Sequence, residues 1–394
     1  MTAPARAAVV GCGDISAVHL AALHDFHGAE LVGVCDVDDK RASAASAAHG
    51  VPAYTDPGTM LDSLRPEVVH VCTPHDQHAA VAVDCIERGI HVVLEKPVAH
   101  TLADAQPVLD ASLANPAVKV AVCFQNRYNR ASQEAFRLIA EGSLGAIRGA
   151  SATVAWHRTP EYYARGPWRG QRARSGGGVL MNQAIHTLDL VQWFLGPVTH
   201  VGSRIGTLAL GEYVDVEDTA QLVMDHESGS RSVLFATLAN SVDSPVTIEI
   251  DTEHARLLIR GDLTVAYADG RTEVVEERRA TPTGRAYWGC LTSCSSRTST
   301  EGSTSPNRSG SDPPRAWRRW PSSTRCTGTP VLALTRVGAP EVRRSGLAGA
   351  HVHPAHSGRP RRSWPPTSVP PRVTARPRPR FRRDAPCFPG TGRR

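Results

Sequence analysis

Lys96 is the residue whose type and setting point most directly to chemistry. It follows the apolar run Val92-Val93-Leu94 and the acid Glu95, and it precedes Pro97, so it stands where a short buried strand turns polar. In an open parallel sheet, ligands sit just beyond the carboxyl ends of the strands. A lysine there, close to a low-dielectric cleft, can have its pKa lowered and exchange protons near neutral pH. The chain has only three lysines, Lys40, Lys96 and Lys119, and otherwise uses arginine. The plainer reading of Lys96 is a solvated lysine before a turn proline. A second candidate is His186. It lies four residues after Asn182 in a helical pattern fed by Gly176-Gly177-Gly178, so the two share one face, with Asp189 a further turn on. A lone histidine on an amphipathic helix is more often structural.

The elements before Lys96 read as a nucleotide site. Strand Ala7–Val10 runs into Gly11-Cys12-Gly13-Asp14-Ile15-Ser16 and then into a helical pattern carrying Val18, Leu20, Ala21 and Leu23. The glycines permit a tight turn and close backbone approach to a pyrophosphate resting on the helix N-terminus, and small Ser16 stands where a third glycine would allow helix and strand to pack. Strand Leu31–Cys35 ends at Asp36, about twenty residues past the turn, where an acid grips the adenosine ribose hydroxyls. An acid there repels a 2′-phosphate and favours NAD; nearby Arg41 leaves NADP open. A βαβ unit without a phosphate is the alternative. Strand Val68–Cys72 leads into Thr73-Pro74-His75, a helix spans Gln77–Arg88, the Val92 strand follows, then a helix over Leu102–Leu113 and a strand over Val118–Cys123. Such alternation predicts a doubly wound parallel sheet. His78 reads equally as a site histidine near the cofactor or as a partly exposed residue early in its helix.

Together, the Gly11-x-Gly13 turn, Asp36, Thr73-Pro74 with His78, Glu95-Lys96-Pro97 and Gln125-Asn126-Arg127-Tyr128 resemble the Gfo/Idh/MocA family (glucose–fructose oxidoreductase, inositol dehydrogenase and MocA), from Met1 to about Gly289. The resemblance implies a Rossmann NAD(P)-binding domain over 1–123 and an α+β domain over 124–289 with a large, mostly antiparallel sheet. It assigns cofactor contacts to Gly11, Gly13, Asp14, Ile15, Ser16, Asp36, Arg41, Cys72, Thr73, Pro74, His78, Glu95, Lys96 and Gln125. It places Lys96 beside the nicotinamide after a usually cis Lys-Pro bond. Substrate contacts fall to Arg127, Tyr128, Trp156, Trp168, Arg169, Asn182 and His186. The family's helix usually reads Asp-x-x-x-His where this chain has Asn182 and His186. An amide hydrogen-bonds a hydroxyl but accepts no proton, which leaves Lys96 and His186 as proton carriers. The implied activity is an NAD(P)-dependent dehydrogenase interconverting a secondary alcohol and a ketone on a sugar, cyclitol or related polyol. Two alternatives stand beside it: an NAD-dependent glycoside hydrolase of the same fold, and a non-catalytic or decayed nucleotide-binding protein.

Beyond Tyr128 the pattern changes. A helix over Ser132–Glu141 precedes an alternating, antiparallel-type strand over Ile147–Trp156. The segment Arg158–Arg174 gathers Tyr162, Tyr163, Trp168 and Arg169, a composition that suits a hydroxylated ligand or, equally, a crossover loop. Strands follow over His200–Ile205, Asp218–Met224, Ser230–Ala239, Val246–Thr252, Ala255–Arg260 and Leu263–Tyr267. One face of such a sheet is free to meet a second copy, and the family implies a homodimer or homotetramer through it.

The net charge of +6 hides two compositions. Residues 1–289 carry a net −10, whereas 290–394 carry 20 arginines, 4 acids and 16 of the 29 prolines, a net +16. That tail has no apolar period. It reads as a disordered basic segment or as the product of a shifted reading frame, since Cys290–Glu301 and Pro314–Pro330 decode into apolar-periodic strings when GC-rich codons are read one base off. A nucleic-acid role rests only on these arginines and is the weakest reading. No secretory signal, no run of about 18 apolar residues and no zinc-type His/Cys spacing is visible, so no metal is expected. Cys12, Cys35, Cys72, Cys85 and Cys123 sit in apolar runs, as in a protein of the reducing cytoplasm.

Overall fold

Short, β-branched runs make the first sheet. Its strands are β1 (Ala5–Val10), β2 (Ala29–Cys35), β3 (Ala53–Tyr54), β4 (Val68–Val71), β5 (His91–Leu94) and β6 (Val120–Val122). The computed structural model describes residues 3–277, so the tail over 290–394, with its reading-frame hypothesis, and residues 278–289 lie outside the described residues. All pairings in this sheet are parallel, in the order β3-β2-β1-β4-β5-β6. The strand order reverses between β1 and β4, which opens a crevice at their carboxyl ends. Residues of β4 are buried on both faces, as expected where helices cover both sides. The doubly wound expectation is met. Helix Asp39–His49, which the apolar pattern does not announce, is alanine-rich and buries only Ala42. Its start is fixed instead by Asp38, whose side chain accepts from the Lys40 amide.

The second sheet has eight strands: β7 (Ile147–Ala155), β8 (Val198–Gly206), β9 (Thr219–His226), β10 (Arg231–Thr237), β11 (Thr247–Thr252), β12 (Ala255–Arg260), β13 (Asp262–Tyr267) and β14 (Thr272–Val275). They run in the order β14-β13-β12-β11-β7-β10-β9-β8. Strand β7 pairs antiparallel with β11 but parallel with β10, so the antiparallel expectation for this strand holds on one side only. The direction of β10 is set by its tight hairpin with β9, and β7 must accept it as it comes. Leu222, Leu234, Ile248, Ile250 and Leu257 point to one face and pack against helices Arg130–Glu141 and Ile185–Leu195. Val223, Val233 and Phe235 point to the other and remain exposed.

Ser175-Gly176-Gly177-Gly178 threads between the two sheets. A Cβ on Gly176, at φ +78°, would lie 1.9 Å from the His100 carbonyl oxygen, and a Cβ on Gly178 would lie 1.9 Å from that of Glu217. No side chain fits at either point. The Glu217 carboxylate accepts from the Gly178 and Leu180 amides and fixes the start of the helix that follows. That helix is not continuous. Val179–Asn182 forms one turn, the Ala184 amide then reaches back five residues to the Val179 carbonyl, and the helix resumes over Ile185–Leu195. A five-residue reach is a π-type turn, a local widening frequent at functional sites. Asn182 and His186 therefore do not stand on one straight helical face, as their spacing alone suggests.

The threading glycines give a direct test. Gly178→Ala forces backbone apart and should destabilise the chain by about 1–3 kcal/mol or more in urea unfolding, whereas Gly50→Ala, at a surface helix end with φ +69°, should cost about 1 kcal/mol. Equal effects would show that the Gly178–Glu217 approach is not a constraint.

Candidate active site

A cleft of about 1110 Å³ lies along the carboxyl ends of β1, β2, β4 and β5 and is walled on its far side by residues 156–187. Ligand pockets commonly run to roughly 300–1,000 Å³, so this one has room for a dinucleotide and a second molecule together. Its floor is the turn after β1. Gly11, at φ +93°, approaches the Cys72–Thr73 backbone so closely that a Cβ would sit 2.6 Å from the Cys72 carbonyl. A Cβ on Gly13 would meet no protein atom within 4 Å, so that side of the turn is open to the cleft. Helix Ser16–Asp25 has no side-chain cap at its N-terminus, although Asp38, Asp56 and Thr101 cap three other helices of this half. Uncapped amides facing an open glycine turn suit a pyrophosphate. Asp36 accepts from the Cys12 amide at 2.8 Å and the Asp38 amide at 2.9 Å, which anchors its carboxylate beside the turn with lone pairs left for a ribose diol. Asp14, Ile15, Cys72, Thr73 and Pro74 also line the cleft; Arg41 lines its far end and pairs with Asp38 at 3.5 Å.

Lys96 extends from the tip of β5 into this cleft, and the Lys96–Pro97 peptide is cis. Its Nζ donates to the Asn182 carbonyl oxygen at 2.8 Å, at the break in the helix. His78 is fully buried rather than partly exposed. Its ring nitrogens lie 2.6 Å from the Pro97 carbonyl and 2.9 Å from that of Thr73, so it fastens the segment after Lys96 to the end of β4. Burial lowers the Lys96 pKa below the ordinary lysine value; Glu95 opposes the shift and Arg169 adds to it.

Beneath Lys96 lies a chain of buried groups from three elements. Glu95 Oε1 meets His19 Nε2 at 3.0 Å, and His19 Nδ1 meets His70 Nδ1 at 2.9 Å. Burial opposes charge on His19, but contact with Cys72 and Glu95 raises it to about 10. Burial likewise opposes charge on Glu95, and His19 nonetheless holds it below the usual carboxylate range. His70 is driven well below the ordinary histidine value, by burial first and by His19 second. Donor atoms of His19, Glu95 and Cys123 lie within 4.8 Å of one another, a cluster no linear spacing announces.

His186 faces the same cleft. Burial, reinforced by the positive charge of Lys96, lowers its pKa to about 3, so its imidazole stays neutral at physiological pH. Its Nε2 lies 3.4 Å from Gln125 Nε2, and its Nδ1 has no partner. Gln125 Oε1, Asn126 Oδ1, Gln183 Oε1 and Thr73 Oγ1 are likewise buried without partners, and all belong to cleft-lining residues. Buried polar atoms are normally satisfied, so five orphans around one cavity mark where a hydrogen-bonding ligand belongs.

The loop over 158–174 forms the opposite wall. The guanidinium of Arg169 lies 5.2 Å from the Tyr162 ring centroid, and that of Arg158 lies 5.3 Å from the same ring and 5.1 Å from Trp156. Trp168 meets His75 edge-on at 4.7 Å, Arg169 pairs with Asp14 at 3.1 Å, and Arg174 pairs with Asp76 at 2.9 Å. The loop is thus tied to the glycine turn and to helix His75–Glu87.

Three expected site residues are placed elsewhere. Ser16 is buried under the turn, where its hydroxyl donates to the Gly13 carbonyl at 2.6 Å and does not line the cleft. Arg127 makes a two-pronged pair with Asp189 and lies over the Phe124 and Trp193 rings, which locks the turn Gln125–Tyr128 to the second helix segment. Tyr128 does not line the cleft either. Sequence reasoning passed over the roles of His19, His70, Asn126, Arg158, Arg165 and Gln183; the polar run before Tyr128 carried a signal for Asn126, and the arginine-rich loop for Arg158 and Arg165.

Residues 5–123 match the family model for the oxidoreductase family with an NAD-binding Rossmann fold, and residues 132–258 match the GFO/IDH/MocA C-terminal domain. The chain is 29% identical over 267 residues to the D-apiose dehydrogenase of Paraburkholderia graminis, covering 65% of this chain and 68% of that one. It is 29% identical over 191 residues to the inositol 2-dehydrogenase of Rubrobacter xylanophilus, covering 48% of this chain and about half (51%) of that relative's length. Among solved structures it resembles the WlbA dehydrogenase from Bordetella pertussis in complex with NADH and UDP-GlcNAcA, with 31% identity, a TM-score of 0.62, and coverage of 71% of this chain and 84% of that one. The fold is also that of an inositol dehydrogenase homolog from Azotobacter vinelandii complexed with NAD+, at 21% identity and a TM-score of 0.69 over 77% of this chain and 87% of that one. With both of its halves matched in order, the chain belongs to the Gfo/Idh/MocA family of oxidoreductases.

Proposed function

We propose that this chain is an NAD-dependent dehydrogenase that oxidises a secondary alcohol of a sugar, cyclitol or related polyol, or reduces the matching ketone. The observation that carries the reading is the partly buried ammonium of Lys96 sharing one cleft with an open glycine turn and with the orphan atoms of His186, Gln125, Asn126 and Gln183. Bound nicotinamide supplies the hydride acceptor or donor. Lys96, with its pKa lowered by burial, takes the hydroxyl proton on oxidation and returns it on reduction. Neutral His186 holds the same oxygen by a hydrogen bond; a pKa near 3 favours that role over carrying the proton. The three amide oxygens accept from neighbouring hydroxyls, and the Asn182 carbonyl keeps Lys96 in place. The relatives are dehydrogenases of apiose and of inositol, which supports a polyhydroxylated substrate. Asp36 supports NAD over NADP, since a carboxylate repels a 2′-phosphate.

The same reading includes assembly through the open face of the second sheet. Val223 and Val233 are directly opposed across β9 and β10, at 43% and 44% exposure, with Phe235 beside them at 39%. A contiguous apolar face of this kind marks an interaction surface. The five described cysteines are all free, which supports a reducing cytoplasm; among the described residues no helix is long and apolar enough to cross a membrane.

Three outcomes test these readings. Lys96→Met should retain NADH binding and lower turnover on an active polyol by about 10²–10⁴, and undiminished turnover would remove the assignment. The pH profile of oxidation should rise with pH through one ionisation below the ordinary lysine value, because deprotonated Lys96 is the base, with no limb near 6.5 from His186. A histidine limb there would contradict the neutral imidazole. Light scattering of the full chain should give a dimer or tetramer that Val233→Asp dissociates, whereas an unchanged mass would place the interface elsewhere.

A further inference from the structure

We infer that the molecule oxidised in this cleft bears an oxyanion, a carboxylate or a phosphoryl group, on its polyol skeleton, and that Arg165 and Arg158 receive it. The inference rests on the dehydrogenase reading but concerns a different part of the site. The cofactor end of the cleft carries the acids: Asp36 and Asp38 lie beyond the tip of β2, and Asp14 is in the glycine turn. Around Lys96 the composition reverses. The residues lining the cleft there are Gln125, Asn126, Asn182, Gln183, His186 and Thr187, which are amides, a neutral imidazole and a hydroxyl. The nearby carboxylate of Glu95 is occupied by His19. No acid on that side is left to grip the hydroxyl pairs of a neutral sugar.

Cations, in contrast, are present in excess. Tyr162 stands between the guanidinium groups of Arg158 and Arg169, and its hydroxyl lies 3.4 Å from Gln183 Nε2, next in sequence to the Asn182 that holds Lys96. This places the arginine wall against the substrate side. Arg169 pairs with Asp14 at the glycine turn and so leans to the cofactor. Arg158 lines the cleft with its side chain 10% exposed and pairs with Asp243, whose side chain is 42% exposed and outside the cleft lining. A guanidinium presents several donors, and an oxyanion entering the cleft can share it. Arg165 lies three residues after Tyr162, lines the same cleft, is exposed, and has no acid partner among the described residues. A neutral polyol would use the orphan amides and leave this cation idle. A sugar acid or sugar phosphate uses both.

Binding separates the cases without needing turnover. The full chain, saturated with NADH, is titrated calorimetrically with matched sets: neutral aldoses and inositols, their uronates or aldonates, and their monophosphates. In at least one set a charged member should bind about 10–100-fold more tightly than its neutral counterpart, and this advantage should shrink on adding salt and disappear in Arg165→Gln. Whichever charged member gains identifies the group as carboxylate or phosphate. A panel in which no charged member outbinds its neutral counterpart overturns the inference. So does an Arg165→Gln variant that keeps the advantage or loses NADH affinity instead, since the arginine would then serve another ligand. Tight binding of a charged member without any NAD reduction would keep this inference and remove the dehydrogenase reading.

Discussion

The site depends on holding one ammonium group at a strand tip with little water around it. Removing a charge of that size from water costs several kcal/mol even after the surroundings relax, whereas one charge-assisted hydrogen bond recovers about 1.5–3 kcal/mol. Lys96 is partly buried and among the described residues makes one such bond, to the Asn182 carbonyl, so its two protonation states are brought closer in energy than in a solvated lysine. Several local features exist to keep it there. His78 ties down the peptide after it, the π-type turn turns the Asn182 carbonyl toward it, and the Gly176–Gly178 thread lets that turn approach the first sheet. Each belongs to a different element, and the position of Lys96 is where they meet.

The groups around Lys96 are sorted by charge. His19 and Glu95 form a buried ion pair; burial and then His19 keep His70 neutral, whereas burial and then the positive charge of Lys96 keep His186 neutral, so the two cleft bases, Lys96 and His186, do not ionise together. Separation of this kind is how one site assigns a proton-carrying role to one group and a hydrogen-bonding role to its neighbour. The arginine-bearing loop faces these groups across the cleft, while Asp14, Asp36 and Asp38 gather about the glycine turn and the tip of β2.

Much of this was legible in the chain. The Gly11–Gly13 turn, Asp36 and the strand carrying Lys96 announce themselves because their signals are local, and strands β9 to β13 of the second sheet alternate. What escaped was whatever depended on two distant segments. Nothing near Arg127 shows that Asp189, 62 residues later, will occupy it. Ser16 turned under the loop because its hydroxyl found the Gly13 carbonyl, a bond no pattern encodes. The Asn182–His186 spacing is that of a regular helix, yet the close fit of Gly178 against Glu217 and the extra residue in the next turn break it. The Glu95–His19–His70 chain draws on a helix, a strand and the tip of another strand, so only the folded sheet assembles it.

The small number of lysines makes the central claim directly measurable. With lysine labelled at Nζ with nitrogen-15, the chain should give three titrating signals, from Lys40, Lys96 and Lys119, with Lys96→Met identifying one by its loss. The account predicts that this signal titrates below the ordinary lysine value and moves further when NADH is bound. A Lys96 signal that titrates at the ordinary lysine value would contradict it.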